Sequence, residues 1–414
     1  MNLLKALFFL IPLLLLFGCY DRIELEQQSY VMAIGIDTTD QENQYLFTFE
    51  IANPEVGSAT AQGGEGEPPA EIVSVIGTDI LTATYTANSV VAKKITLDHT
   101  KIIVASEEIA RSDKFLSVIQ SASRSPQIRR AVELVVSKEP AEDFIRNNEP
   151  TMEKRPHKFY NFMLSRAAQT GIIPQATLHR FFQITEGDAD VFLAVYATTE
   201  QSKEKERGYE DNYIAGEIPQ IGGSPTQFMG SAVFKEGKMI DILNGEETRF
   251  AHILDKTHDM DTFLATIPDP LQPEYRVSYN YAQKNKPQIN IDYQKGKTAK
   301  IKVDVEYQVE IIGIQSLINY SQIQKYRKIL KENITNRLEE KAKQLVKKSQ
   351  EQYSTDPFYW SLYVRKHFKD VPSYEEADWN KNIYPNAEVE ITFKLDKLEF
   401  GKMFDDSNVS EVRD

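Results

Sequence analysis

The chain has 414 residues, 48 Lys and Arg against 61 Asp and Glu, a formal net charge of −13, and one cysteine. A single cysteine excludes an internal disulfide framework, and the acidic balance argues against nucleic-acid binding and against flat binding to anionic lipid. With 41% hydrophobic residues the chain is long enough to be held by its own core, as two or three domains.

The first elements are those of a secretory signal. Lys5 gives a positive region, Ala6 to Phe17 an apolar stretch containing Pro12, and small Gly18 precedes Cys19. The stretch is shorter than the roughly 20 residues a spanning helix needs. Leu16-Phe17-Gly18-Cys19 resembles a bacterial lipobox. The motif implies a diacylglyceryl thioether on Cys19, cleavage before it and acylation of the new amine, chemistry for which the thiol is the suitable nucleophile. Residues 1–18 are thus expected as a cleaved lipoprotein signal peptide and 19–29 as a lipid-anchored tether, placing the mature chain outside the cytoplasmic membrane. No later apolar run is long enough to span a bilayer.

Residues 30–150 read as an N-terminal α+β domain. "YVMAIGID" is a short buried strand, and Tyr45, Phe47, Phe49 and Ile51 alternate as a half-buried one. Residues 57–70 are a Gly/Pro/Glu-rich loop. Residues 78–93 predict a helix capped by Thr78, with Ile80, Leu81, Thr84, Tyr85 and Val91 inward. "HTKIIVAS" and "IRRAVELVVS" are strands flanking one helix over 107–125. Residues 151–265 form an expected middle domain, with a helix ending at Gly171, a long exposed loop over 200–227, a hairpin around "KEGK" and a helix at "GEETRFAHILDK".

Residues 266–414 give the clearest pattern, an expected C-terminal α+β domain. Ile301, Val303, Val305, Tyr307, Val309 and Ile311 alternate with polar residues, a strand with one wet face. Ile323, Tyr326, Leu330, Ile334, Leu338, Ala342 and Leu345 form one stripe on a helix from Ser321 to about Lys348. The predicted class is α+β: three mixed domains of largely antiparallel sheets with packed helices.

Catalytic signatures are missing from the sequence. The six histidines show no zincin spacing; His252 and His258, six apart, read as surface residues. There is no GxSxG elbow and no P-loop, and "IGGSP" at 221–225 reads as a flexible turn. Acidic pairs carry no weight among 61 carboxylates, and most of the placed tyrosines sit on core-facing strand positions. No enzyme, metal or cofactor is expected beyond the covalent lipid on Cys19.

Four stretches together resemble the Ger(x)C family, the C-subunit lipoproteins of spore germinant receptors. They are "GCYDRIELEQQSYVMAIGID", "LDHTKIIVASEEIA", "GSAVFKEGKMIDILNGEETR" and "DPFYWSLYVRKHFKDVPSYEEADWNKNIYPNAEVEI". Tyr20 stands where the family usually has Trp, and the glycine-phenylalanine step the family often shows near Asp356–Trp360 is absent here. The resemblance implies three α+β domains, no catalytic site, integral-membrane A and B subunits as partners, and a place on the outer face of the cytoplasmic membrane, in the spore inner membrane. Asp21, Arg22 and Glu24 follow the anchor at once and are expected at headgroup level, as candidate contacts to the membrane subunits. The alternatives are a solute-binding lipoprotein of a nutrient uptake system, which needs two parallel-sheet lobes around a cleft, and an anchored wall hydrolase, which needs an acid pair or metal site.

Overall fold

The computed structural model describes residue 24 and residues 27–53, 68–187, 190–202 and 208–401. Cys19, Asp21 and Arg22 lie outside the described residues. The class is α+β, built as two sheets, each with its own core.

The first sheet takes β1 (Gln28–Thr38), β2 (Tyr45–Ala52), β3 (Ala70–Gly77), β4 (Lys94–Thr96), β5 (Ile102–Ser106), β6 (Glu133–Ser137), β7 (Phe192–Thr198), β8 (Gln227–Lys235) and β9 (Lys238–Leu243). The order is β3-β2-β1-β5-β6-β7-β8-β9, with β4 beside the start of β1. Its centre is parallel: β1, β5, β6 and β7 run the same way, and only the flanks are antiparallel. Parallel neighbours need crossovers, and these carry the helices. They are α1 (Ile80–Ala87), α2 (Glu107–Ala110), α3 (Phe115–Arg124), α4 (Ala141–Asn147), α5 (Pro156–Gln169) and α6 (Leu178–Thr185). Since β7 pairs with β6, the sheet runs across the boundary expected at 150–151.

Several local expectations change. The cap of α1 is Asp79, not Thr78: its Oδ1 accepts from Leu81 N (2.8 Å) and Thr82 N (2.9 Å), and Thr82 Oγ1 accepts from Asp79 N (3.1 Å). The buried stripe is therefore Ile80, Ala83, Thr84 and Ala87, and Tyr85 is 84% exposed. The single helix expected over 107–125 is α2 and α3, separated by a turn at 111–114. β2 is buried on both faces, because Tyr160 of α5 donates to Glu50 Oε2 (2.9 Å) on the side expected to be wet. The loop over 200–227 is not wholly exposed. Tyr213 and Ala215 join the first core, and Gly216 N donates to Gln227 Oε1 (2.7 Å).

The β8–β9 hairpin turns at Glu236 (φ 50°) and Gly237 (φ 81°). Gly230, in the "GSAVF" stretch, has φ 84°, and a Cβ there would run into the Leu243 carbonyl of β9. After the hairpin comes α7 (Gly245–Leu254), closed by a capping box in which Glu247 N donates to Asn244 Oδ1 (2.8 Å) and Asn244 N to Glu247 Oε2 (3.0 Å).

The second sheet takes β10 (Phe263–Pro268), β11 (Arg276–Gln283), β12 (Gln288–Asp292), β13 (Lys300–Ile314) and β14 (Glu388–Glu399). β13 alternates along its length as expected, and β11 and β12 pair antiparallel with its two halves. β14 pairs with it in parallel, because α8 (Gln324–Lys348) and the short helices α9 (Ser361–Val364) and α10 (Val371–Ala377) intervene. The stripe on α8 is buried at Leu330, Ile334, Leu338, Ala342 and Leu345. Ile323 precedes the helix and is 42% exposed, and Tyr326 is only half-buried, since the helix begins later than expected.

Leu338→Ala removes a buried side chain from the second core, at a cost of about 2–5 kcal/mol. It should lower the melting temperature markedly. Lys347→Ala, off the stripe and exposed, should leave it nearly unchanged. Lys341 is not neutral in the same way, because it bridges to Glu246 of α7 (2.7 Å). Equal melting temperatures for Leu338→Ala and Lys347→Ala would contradict this packing.

Candidate functional site

The chain enters the fold at Gln28. Just before it, Glu24 is exposed, and its carbonyl accepts from Gln27 N (3.0 Å). Glu24 is the one candidate partner contact among the described residues. Among the described residues there is no cluster of three His, Cys, Asp or Glu able to hold a metal ion, and no helix long and apolar enough to cross a membrane.

The polar chemistry lies where the two units meet, and α7 is the element that joins them. Phe250, Ala251, Ile253 and Leu254 belong to the second core, while Thr248 shares a hydrogen bond (2.8 Å) with Ser231 of β8 in the first sheet. Arg249 is buried. It bonds the Asp211 carboxylate, donates from Nε to Thr170 O (3.0 Å) and stacks over Phe263 of β10 at 3.9 Å. On the outer side, Arg337 and Lys341 of α8 reach Glu246 (3.4 and 2.7 Å), and Lys348 reaches Glu247 (3.1 Å).

The end of α7 leads into a knot around Asp356, which is fully buried. Its Oδ1 accepts from Phe358 N (2.9 Å) and Trp360 N (3.0 Å), its Oδ2 from Trp379 Nε1 (2.8 Å), and its carbonyl from Val191 N (3.2 Å). Trp360 Nε1 in turn donates to Leu254 O (3.1 Å). One residue thus ties two tryptophans through its carboxylate and the start of β7 through its carbonyl, and Trp360 carries the link on to the end of α7. Burial lifts Asp356 to about 6 despite these donors. Beside it, Asp190 accepts from Ser361 Oγ (2.8 Å) and is held well above the usual carboxylate range by burial and by the charge of Asp356. With three N–H donors against one hydroxyl, Asp356 is the better stabilised carboxylate of the two.

Arg180 of α6 reaches into the same junction. It donates from Nη2 to Asp255 Oδ2 (2.9 Å) and from Nε to the Tyr359 hydroxyl (2.9 Å). Tyr359 has φ 57° and Ser354 φ 59°, so two non-glycine residues hold left-handed backbone in the segment where the family's glycine step is absent. His252 and His258, expected on the surface, are buried and stacked, with ring centroids 4.0 Å apart. Burial and the neighbouring Arg180 keep both neutral, His258 pushed down to about 4 and His252 well below its usual value. They are buried because α7 lies between the sheets, a tertiary fact that spacing does not report.

Enclosed in this way, the carboxylates, Arg180 and the histidines hold the fold together at this junction. The neighbouring cleft, of about 620 Å³, is open and is walled by Glu186, Arg365, Phe368, Val371, Tyr374 and Trp379. Asp370, Glu375 and Asp378 also line it. The sequence reading missed Asp356, although a lone acid among Pro357, Phe358, Tyr359 and Trp360 is the kind of signal that marks a buried, saturated carboxylate.

The histidines set a pH dependence. Unfolded, His258 takes up a proton near its ordinary value of 6.5; folded, it stays neutral down to about 4. Between these values the unfolded state binds more protons, so this group's contribution to stability falls as the pH falls. His258→Gln removes it. The melting temperature of the variant relative to wild type should therefore rise from pH 8 to pH 5, by the equivalent of at most about 2 kcal/mol. Parallel profiles would show that His258 does not titrate in this way.

The comparisons with known proteins agree with this architecture. Residues 21–198 match the family model described as the spore germination protein N-terminal domain, and residues 229–401 match the one described as spore germination B3/GerAC like, C-terminal. Spore germination protein B3 of Bacillus subtilis (strain 168) is 23% identical over 96% of this chain and 97% of that protein. Spore germination protein KC of the same organism is 31% identical over 34% of this chain and 36% of that protein. The solved structure entitled "Crystal Structure of the GerBC protein" covers 90% of this chain and 100% of that one, with a TM-score of 0.51 at 17% identity, a likeness of fold. With both halves matched in order and one relative aligned nearly end to end, the chain belongs to the Ger(x)C family of spore germinant receptor C subunits.

Proposed function

We propose that this chain is a lipid-anchored, non-catalytic subunit that holds its α+β units beside integral-membrane A and B subunits of a spore germinant receptor. The observation that carries the reading is the match of both family models, from residue 21 to residue 401, with relatives named for spore germination. The lipobox-like Leu16-Phe17-Gly18-Cys19 supplies the anchor, a diacylglyceryl and an N-acyl group on Cys19, and the outer face of the spore inner membrane is the place. Eight residues, 20–27, separate Cys19 from β1. Fully extended they span at most about 28 Å, so the body stays close to the headgroups and its effective concentration near membrane partners is high. The solute-binding alternative draws no support from the relatives, which are named for germination.

Two measurements test this. Cys19→Ala should abolish incorporation of labelled palmitate and leave the chain uncleaved or soluble; label still entering the variant removes the anchor from the reading. Arg22→Glu should reduce recovery of the other receptor subunits with this chain while the melting temperature stays unchanged. Full recovery would make Asp21, Arg22 and Glu24 a solvated spacer.

A further inference from the structure

The end of the first sheet at which the chain enters is basic, although the chain as a whole is acidic. β1, β4, β5 and β6 run parallel, so all begin at that end. The turns that feed them are pinned together. Leu97 N donates to Gln127 Oε1 (3.4 Å), Lys101 N to Met32 O (2.8 Å), Glu133 N to Lys101 O (3.0 Å) and His179 N to Arg130 O (2.9 Å). On these turns and on the ends of β4 and α3 beside them, Lys93, Lys94, Arg124, Arg129 and Arg130 are exposed.

The patch continues onto the start of α5. Lys101 and Arg129 line one cleft with Tyr160 and Asn161, and the charges of Lys158, Arg155 and Lys101 all bear on His157. Met152, two residues before Lys154, is 96% exposed. Some acidic side chains nearby are engaged: Asp98 accepts from Thr96 (2.8 Å), Glu153 from Arg155 (2.6 Å), and half-buried Glu133 from Ala176 N (2.7 Å). Glu24 and Glu71, beside the chain entry, and Glu149, ahead of Met152, are the exposed exceptions.

We propose that this basic end is a docking surface for anionic phospholipid headgroups, which seats the first sheet end-on against the membrane. The occupant follows from position and charge. The same end receives a tether of at most about 28 Å from Cys19, so it is the part of the body that the anchor holds nearest the bilayer. Each Lys or Arg near an anionic surface contributes about 1 kcal/mol, decaying within a Debye length. Net charge is a sum over the whole surface, so the overall −13 does not exclude such contact at one basic end. The proposal rests on the anchored reading, but its test does not use the anchor.

The chain from residue 20 onward contains every described residue and no acylation site. It should co-sediment with phosphatidylcholine vesicles containing phosphatidylglycerol, should not with phosphatidylcholine alone, and should be released by high salt. The triple variant Arg124→Glu, Arg129→Glu, Arg130→Glu should bind at least about tenfold more weakly. The control Lys325→Glu, Lys331→Glu, on the exposed side of α8, should bind as wild type. Melting temperatures of both variants confirm folding, and if the triple variant does not fold, the salt and lipid dependence of the wild type decide alone. Equal sedimentation with both vesicle types overturns the proposal, as does a folded triple variant that binds normally. Loss of receptor subunits from the triple variant, without vesicle binding by wild type, would assign the patch to a protein partner. Failure of palmitate labelling at Cys19 would strike the anchor and leave the vesicle result standing.

Discussion

Charge taken out of water between two sheets survives only if each group finds a partner, and that requirement organises this molecule. Asp356 is saturated by three N–H donors, Asp255 by Arg180 and Thr257, Asp211 by Arg249. Removing one member of such a pair leaves the other uncompensated, typically at about 3–5 kcal/mol. A buried ion pair is a poor source of net stability, but its directionality fixes how two elements meet. Here that direction sets the placement of α7, and through α7 the mutual placement of the two cores.

Much of the fold was legible where a single period governed burial. β13 faces water on one side, so its alternation survives in the sequence, and the Leu330-to-Leu345 stripe of α8 is legible for the same reason. Legibility failed where a second layer arrived. β2 has an alternating sequence, yet Glu50 is buried because Tyr160 reaches it from α5. α7 has no dry stripe to read: Arg249 and His252 are buried with Phe250 and Leu254, since the helix is enclosed from both sides.

The candidate site was less legible still. Spacing shows whether residues share a face of one element, and the junction draws on α6, α7 and the segments around Asp190 and Asp356, which are far apart in the chain. What the sequence did show was the absence of compact catalytic signatures and the resemblance carried by short stretches. The structure explains part of one of them: the glycine of "GSAVF" sits where backbone of β9 leaves no room for a Cβ.

The parallel union of β13 with β14 has a consequence for how the chain reaches its final state. Lys300 pairs with Glu388 and Glu310 with Glu399, so the longest strand of the second sheet waits for a partner about ninety residues downstream. During vectorial synthesis β11 and β12 can dock on one edge of β13 early, but the opposite edge stays open until the last described strand emerges. An unpaired hydrophobic edge of that length is a template for association between chains. The order of assembly therefore leaves an interval in which half the molecule is sticky.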